Sequence, residues 1–223
     1  MKQNLRLPVA LLVSLGCATL ARAADVGATT LPKDHFNKAH AEIIYESVDR
    51  DLDNDSSLEA DALYLRLHTA VGQTATLDFD IGGLDAQDAD ATLYGGLGLR
   101  YLVYDAPAWR IGAHLQVHYA PDIETELEQS DLLEVDGGVS LLGRIHLAED
   151  LVLMPYVGPV FSIVRIDGDA EVGDGKESFD LEEDSPIGLA AGLALQLPEG
   201  NTLRVEARAF DGVSFSAAAG IAF

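Results

Sequence analysis

Apolar and polar residues alternate with a period of two along most of the chain. One clear example runs from Trp109 to Tyr119, WRIGAHLQVHY, and a second runs from Val135 to Leu147, VDGGVSLLGRIHL. Successive side chains of a β-strand point to opposite faces, so this alternation predicts strands with one apolar and one polar face. After the first forty residues no segment shows a helical period of comparable strength.

The alternating segments predict ten strands, joined by connections of two kinds. The strands are predicted at 41–50, 60–71, 74–83, 92–104, 108–119, 135–148, 151–166, 187–197, 202–210 and 213–223. Tight turns follow the second, fourth, sixth and eighth strands, whereas longer connections follow the first, third, fifth and seventh, at 51–59, 84–91, 120–134 and 167–186. An antiparallel sheet with this order has its tight turns at one end and its long loops at the other.

The acidic residues are concentrated at the long-loop end of the predicted sheet. The chain has a formal net charge of −23, and 25 of its 37 acidic residues lie at Asp211 and in the segments 49–61, 85–90, 122–134 and 167–184, which are the long connections with their edges. The same segments hold two bases, Arg50 and Lys176. We therefore expect a dense acidic surface at the long-loop end, which collects divalent cations weakly and unspecifically. Nucleic acid is excluded as a partner by charge of this sign.

The two faces of the strands indicate the surroundings of the sheet. The apolar face carries almost no charge, and its aromatic residues fall into two groups. Tyr101, Trp109 and Phe223 lie near the tight turns, and Phe79, Tyr119, Phe161 and Phe215 lie towards the long loops. Two aromatic belts separated by aliphatic residues are typical of a surface that faces lipid. The alternative is a secreted, soluble ligand-binding calyx with the apolar face inside.

The opposite face combines mixed charges with glycine and alanine, as expected for a narrow barrel interior. We predict a polar network in this lumen, in which arginines pair with carboxylates. Its members are Arg66, Asp78, Asp80, Arg100, Arg110, His114, His118, Asp136, Arg144, His146, Arg204, Glu206 and Arg208. Closure of the sheet satisfies every backbone hydrogen bond, the condition for crossing lipid. The fold predicted is an all-β, closed antiparallel transmembrane barrel of ten strands, with eight as the alternative.

The N-terminus has the pattern of an export signal. Lys2 and Arg6 precede an apolar run from Leu7 to Leu20, and Ala21-Arg22-Ala23 forms a small-x-small cleavage site. We predict a signal peptide at 1–23, a short periplasmic segment at 24–40 and the barrel domain at 41–223. The single cysteine, Cys17, lies in the signal, so no disulfide framework or thiolate metal site is expected in the mature chain.

The last eleven residues, VSFSAAAGIAF, form an alternating strand that ends on phenylalanine. This stretch resembles the C-terminal strand of bacterial outer-membrane β-barrel proteins. The resemblance implies a barrel in the outer membrane with short periplasmic turns and long extracellular loops. It also implies that the barrel-assembly machinery reads the alternating residues of this strand, which are Phe215, Ala217, Ala219, Ile221 and Phe223.

Two features suggest more specific chemistry. His114, His118 and His146 share a face with Asp136, and a histidine beside a carboxylate can act as a general base. No recognisable spacing fixes a nucleophile beside them, so no catalytic residue and no cofactor are predicted. Asp51, Asp53 and Asp55 have the spacing that begins an EF-hand, but Ser56 and Ala62 occupy positions that need glycine and glutamate. They remain weak metal candidates.

The function expected from these patterns is structural or surface-interacting, at most that of a narrow conduit for small solutes. An enzyme that modifies envelope lipid is the alternative from another class. Outer-membrane lipid and the assembly machinery are the expected partners, and the barrel is expected to be monomeric.

Overall fold

The segments with alternating apolar and polar residues form paired β-strands in the computed structural model. The structure describes residues 39–52, 56–87, 89–124, 128–172, 175–182, 186–210 and 212–223. The predicted signal peptide and most of the predicted periplasmic segment lie outside these residues. Among the residues described, helical structure is limited to one 3-10 turn, Pro198–Gly200. None of the described residues belongs to a helix that is long and apolar enough to span a membrane.

In the described part of the chain, twelve strands make up the sheet. They are β1 (His40–Leu52), β2 (Ser56–Val71), β3 (Ala75–Ala86), β4 (Thr92–Asp105), β5 (Trp109–Glu124), β6 (Glu128–Gly143), β7 (Ile145–Ala148), β8 (Leu151–Val172), β9 (Gly175–Glu182), β10 (Ile187–Gln196), β11 (Thr202–Ala209) and β12 (Val213–Ala222).

These strands occupy ten positions in a closed antiparallel ring. β6 and β7 share one position, because the strand is interrupted only at Arg144. β9 pairs with the far half of β8, and β10 pairs with its near half. Pairing of β12 with β1 closes the ring at the seam between the two ends of the chain. The predicted ten-stranded barrel is confirmed, and the eight-stranded alternative is wrong.

The predicted long loops are largely strand. β1 and β2 pair out to Leu52 and Ser56, β5 and β6 to Glu124 and Gln129, and β8 and β9 to Val172 and Gly175. Three hairpins, β1–β2, β5–β6 and β8–β9, therefore rise above the ring. The acidic residues concealed the alternation there, because they occupy the outward positions of strands whose inward positions remain apolar.

The apolar face of the ring is outside. Residues such as Ile43, Leu97 and Ile221 are about 60% exposed, at 62%, 61% and 59%, on a surface that is almost entirely aliphatic and aromatic. Meanwhile Arg66, Arg100 and Arg110 are buried in the interior. A soluble calyx would reverse these two faces, so that alternative is wrong. An apolar exterior of this extent requires a lipid environment.

Candidate functional site

The interior of the barrel is the candidate functional site, because it gathers most of the charged residues that the strands carry. Eleven of the thirteen residues that the sequence assigned to the lumen are buried there. They are Arg66, Asp78, Asp80, Arg100, Arg110, His114, His118, Asp136, Arg204, Glu206 and Arg208. The two others, Arg144 and His146, lie at the mouth beside the tight turns.

The best-defined ion pair in the interior joins Arg66 to Asp80. The guanidinium of Arg66 donates twice to the carboxylate, from Nε at 2.7 Å and from Nη2 at 2.6 Å. His118 Nε2 lies 2.7 Å from the second carboxylate oxygen. A bidentate pair of this kind is among the stronger charge-assisted hydrogen bonds, and it fixes β2 against β3.

A second group of ionic contacts lies at the next inward position of β3, closer to the tight turns. Asp78 accepts a hydrogen bond from Arg100 Nε, and its other oxygen lies 2.6 Å from His68 Nδ1. His68 in turn faces Glu42, and Glu42 accepts a hydrogen bond from Arg204 Nη2 at 2.9 Å. The chain of contacts therefore crosses from β4 through β3, β2 and β1 to β11.

The third group is looser. Arg208 lies 3.6 Å from Asp136 and 3.5 Å from Glu206, so both ion pairs are longer than the contacts between Arg66 and Asp80. The hydroxyl of Tyr156 donates to Glu206 at 2.5 Å, and His114 Nε2 lies 3.4 Å from Asp136. These contacts reach across the lumen between β6, β8 and β11.

Arg144 and His146 are placed differently from the prediction. Arg144 is half-buried and binds Asp105, which also accepts from Arg110 Nε at 2.8 Å. His146 is exposed on β7 and lies apart from His114 and His118. The break at Arg144 explains both positions, since it carries the strand to the open mouth of the barrel. The three histidines therefore do not form one site.

Sequence reasoning missed several members of the interior. Glu42 and Glu46 occupy inward positions of β1, and Glu134 occupies one on β6, although it had been counted among the acidic loop residues. Tyr64 donates to Glu46 at 3.2 Å, and Tyr94 lies 3.5 Å from Glu134. The period-two alternation of β1 could have identified these inward positions, because His40, Glu42, Ile44 and Glu46 alternate with outward residues.

Apolar side chains close the interior on both sides of the charged layer. Towards the tight turns lie Leu142, Val152, Met154, Tyr156 and Ala194. Towards the other end, the inward faces of the three long hairpins pack together, and we call this cluster the hairpin cap. It is formed by Leu52, Leu58, Ile123, Leu132 and Ile166, with Phe179 and Leu181 packed against them. The middle of the lumen is therefore filled by buried side chains.

The outward faces of the long hairpins are acidic. Asp131 lies opposite Asp167, and Asp167 lies opposite Asp180, in adjacent strands. Arg165 meets this row, with contacts of 3.2 Å to Asp167 and 2.7 Å to Asp180. On the far side Asp61 lies opposite Asp85. Of the weak calcium candidates, Asp53 and Asp55 lie outside the described residues, as does the side chain of Asp51.

A closed antiparallel barrel with an apolar exterior and a charged interior is the architecture of outer-membrane β-barrel proteins. In such a barrel every backbone group is paired within the ring, which allows it to cross lipid. The described residues therefore have the fold of an outer-membrane β-barrel. No protein-family model matches this chain, and no curated protein matches it.

Solved structures that are similar to this chain include the following three. The chain is 14% identical to Ail, the attachment invasion locus protein of Yersinia pestis, over 84% of this chain and 99% of that one, with a TM-score of 0.38. It is 12% identical to the outer membrane protein AlkL, covering 93% and 97%, with a TM-score of 0.40. The β domain of the Bordetella autotransporter BrkA is 11% identical, covering 83% and 99%, with a TM-score of 0.40. At these values the likeness identifies no subfamily and no function.

Proposed function

We propose that this protein is a closed structural barrel that holds an acidic, cation-collecting surface above the outer membrane. The observation that supports the proposal is the filled interior. A charged layer lies between two apolar layers, and its arginines are used in pairing with carboxylates instead of lining a path for anions. The barrel anchors and positions the three long hairpins, and the hairpin cap holds them together.

The enzymatic alternative receives little support from the positions of the histidines. His114 and His118 are 6% and 3% exposed and face the lumen, whereas lipid contacts the outside of the ring. A lipid substrate would have to enter a filled interior to reach them. We therefore expect purified protein to leave outer-membrane lipid chemically unchanged in a modification assay.

Conductance tests the structural proposal directly. Purified protein inserted into planar bilayers should show little or no steady current, and any residual current should favour cations, because the long-loop end is acidic. The double variant Arg66→Ala/Asp80→Ala is the matched comparison, since it empties the middle of the charged layer and should increase the leak.

The folded state of both proteins is checked by heat-modifiable migration before each recording. A large, steady, anion-selective current from the unmodified protein would overturn the proposal and identify the barrel as a porin. Modified lipid after incubation with the unmodified protein would instead favour the enzyme.

A further inference from the structure

Two histidines and a glutamate meet inside the barrel, next to the seam that closes the ring. His40 lies directly opposite His68 in the pairing of β1 with β2, and Glu42 is the next inward residue of β1. All three are buried, with 1% to 3% of their surface exposed. One possible ligand atom from each lies within 4.8 Å of those of the other two. The cluster is thus a compact set of nitrogen and oxygen donors.

The orientation of His68 directs a lone pair into this cluster. Its Nδ1 lies 2.6 Å from Asp78 Oδ1, which accepts the ring proton. Nε2 then carries a lone pair that faces Glu42 Oε2 at 3.2 Å. Among the described residues no other side chain hydrogen-bonds this nitrogen. When both atoms are acceptors they repel each other at this separation, and a proton or a metal ion between them removes the repulsion.

The distance between His68 Nε2 and Glu42 Oε2 is that of two ligands on one metal ion. Zinc binds imidazole nitrogen and carboxylate oxygen at about 2.0–2.2 Å, so two ligands at a tetrahedral centre are roughly 3.3 Å apart. The distance of 3.2 Å between His68 Nε2 and Glu42 Oε2 matches this separation of two ligands. Two imidazoles with one carboxylate form a donor set that favours zinc-class transition ions over calcium or magnesium.

The residues around the cluster hold its members in place. Arg100 binds Asp78 and Arg204 binds Glu42, so each carboxylate has a fixed orientation. A histidine oriented by a carboxylate on its second nitrogen is the usual arrangement around a bound metal. Gly220 leaves room for His40, because a Cβ at this position would lie 2.3 Å from the ring carbon Cε1.

We propose that His40, Glu42 and His68 bind one zinc-class divalent ion in the interior of the barrel. The ion joins β1 to β2 beside the seam where β1 also pairs with β12, and it therefore stabilises this hairpin. Its fourth ligand is a solvent molecule. The proposal is independent of the proposed function, since a metal at the seam is compatible with a barrel that conducts as well as with one that does not.

Cobalt binding provides the test. Full-length mature protein is unfolded in denaturant with chelator, freed of chelator, refolded in detergent with Co²⁺, and dialysed against metal-free buffer. We expect the wild type to retain about one Co²⁺ per chain with the visible absorption of a tetrahedral centre. His68→Gln and Glu42→Gln should lose both. His114→Gln should keep both, because it changes another buried lumen histidine outside the cluster.

A thermal measurement with Zn²⁺ gives a second readout. Zinc should raise the melting midpoint of the wild type and of His114→Gln, and should leave His68→Gln unchanged. If the wild type retains no cobalt, the proposal is wrong. Equal retention by His68→Gln would also overturn it. If the cluster variants fail to fold, the stoichiometry and spectrum of the wild type decide.

Discussion

At the scale of single residues, an arginine contributes differently to stability in the buried interior and on the exposed surface. Arg66 is completely buried and shares a bidentate contact with Asp80. Arg165 contacts two aspartates on the surface, where its side chain is 45% exposed. Solvent screens the surface contacts, whereas removal of one partner inside leaves a charge that is buried and uncompensated.

A matched pair of substitutions measures this difference. Arg66→Ala should lower the free energy of unfolding by about 3–5 kcal/mol, because Asp80 loses its bidentate partner in the interior. Arg165→Ala should cost about 0.2–1 kcal/mol. Denaturant titration of both variants in lipid vesicles gives the two values. Similar costs at the two positions would show that water reaches Asp80, and that the lumen is less tightly filled than the structure indicates.

At the scale of the elements, each strand has a lipid side and a lumen side, and depth in the membrane sets the cost of a charge. Leu115 lies in the middle of β5 and is 47% exposed on the outer surface. Leu147 lies at the rim on β7, next to a tight turn, and is 55% exposed. The two positions are both outward and both leucine, so they differ mainly in depth.

Substitution of these leucines tests the placement of the bilayer. Leu115→Arg should cost about 2–4 kcal/mol, the range for a cation at the midplane, and Leu147→Arg about 0–1 kcal/mol, the range near an interface. Equilibrium unfolding from vesicles measures both. The inward position Ser140 is a poor comparison, because it is buried and an arginine there would clash with its neighbours. Equal costs for the two leucines would contradict the assigned depth.

At the scale of the whole molecule, the ring closes between β1 and β12, and the last residue lies at this seam. The backbone N–H of Phe223 donates to the carbonyl of Ala39 at 3.0 Å, and its side chain is 69% exposed. Ala219 and Ile221 are exposed on the same outward face, and Phe215 and Ala217 are half-buried there. A recognition partner therefore has access to the side chain of Phe223 on the outside of the ring.

Phe223→Ala separates recognition during assembly from stability of the finished barrel. The substitution keeps the backbone hydrogen bond, so refolding into detergent should proceed as in the wild type. In cells it should lower the amount of folded barrel in the outer membrane and leave misassembled protein in the periplasm. Phe161→Ala, which removes another exposed phenyl ring, should leave the cellular level unchanged. Normal membrane levels of Phe223→Ala would show that this residue is not the assembly signal.

The strands, the face that meets lipid and the number of positions in the ring followed from the sequence, because period-two alternation is a local property of each segment. Alternation also predicted which side chains point into the lumen, and Arg66, Asp78 and Asp80 are examples. The hairpins above the ring were assigned to loops, because their outward positions carry most of the acidic residues and the apolar inward positions are sparse.

Which interior residues meet was decided only by the tertiary structure. Glu42 and Arg204 are 162 positions apart in the chain, and they meet because closure brings β1 next to β12 and β11. Pairing of β1 with β2 brings His40, Glu42 and His68 together, and closure of the ring packs the three hairpins over the lumen. Alternation fixes the direction of a side chain, but a partner across a barrel also depends on strand tilt, register and the way the ring closes, and these are properties of the whole sheet.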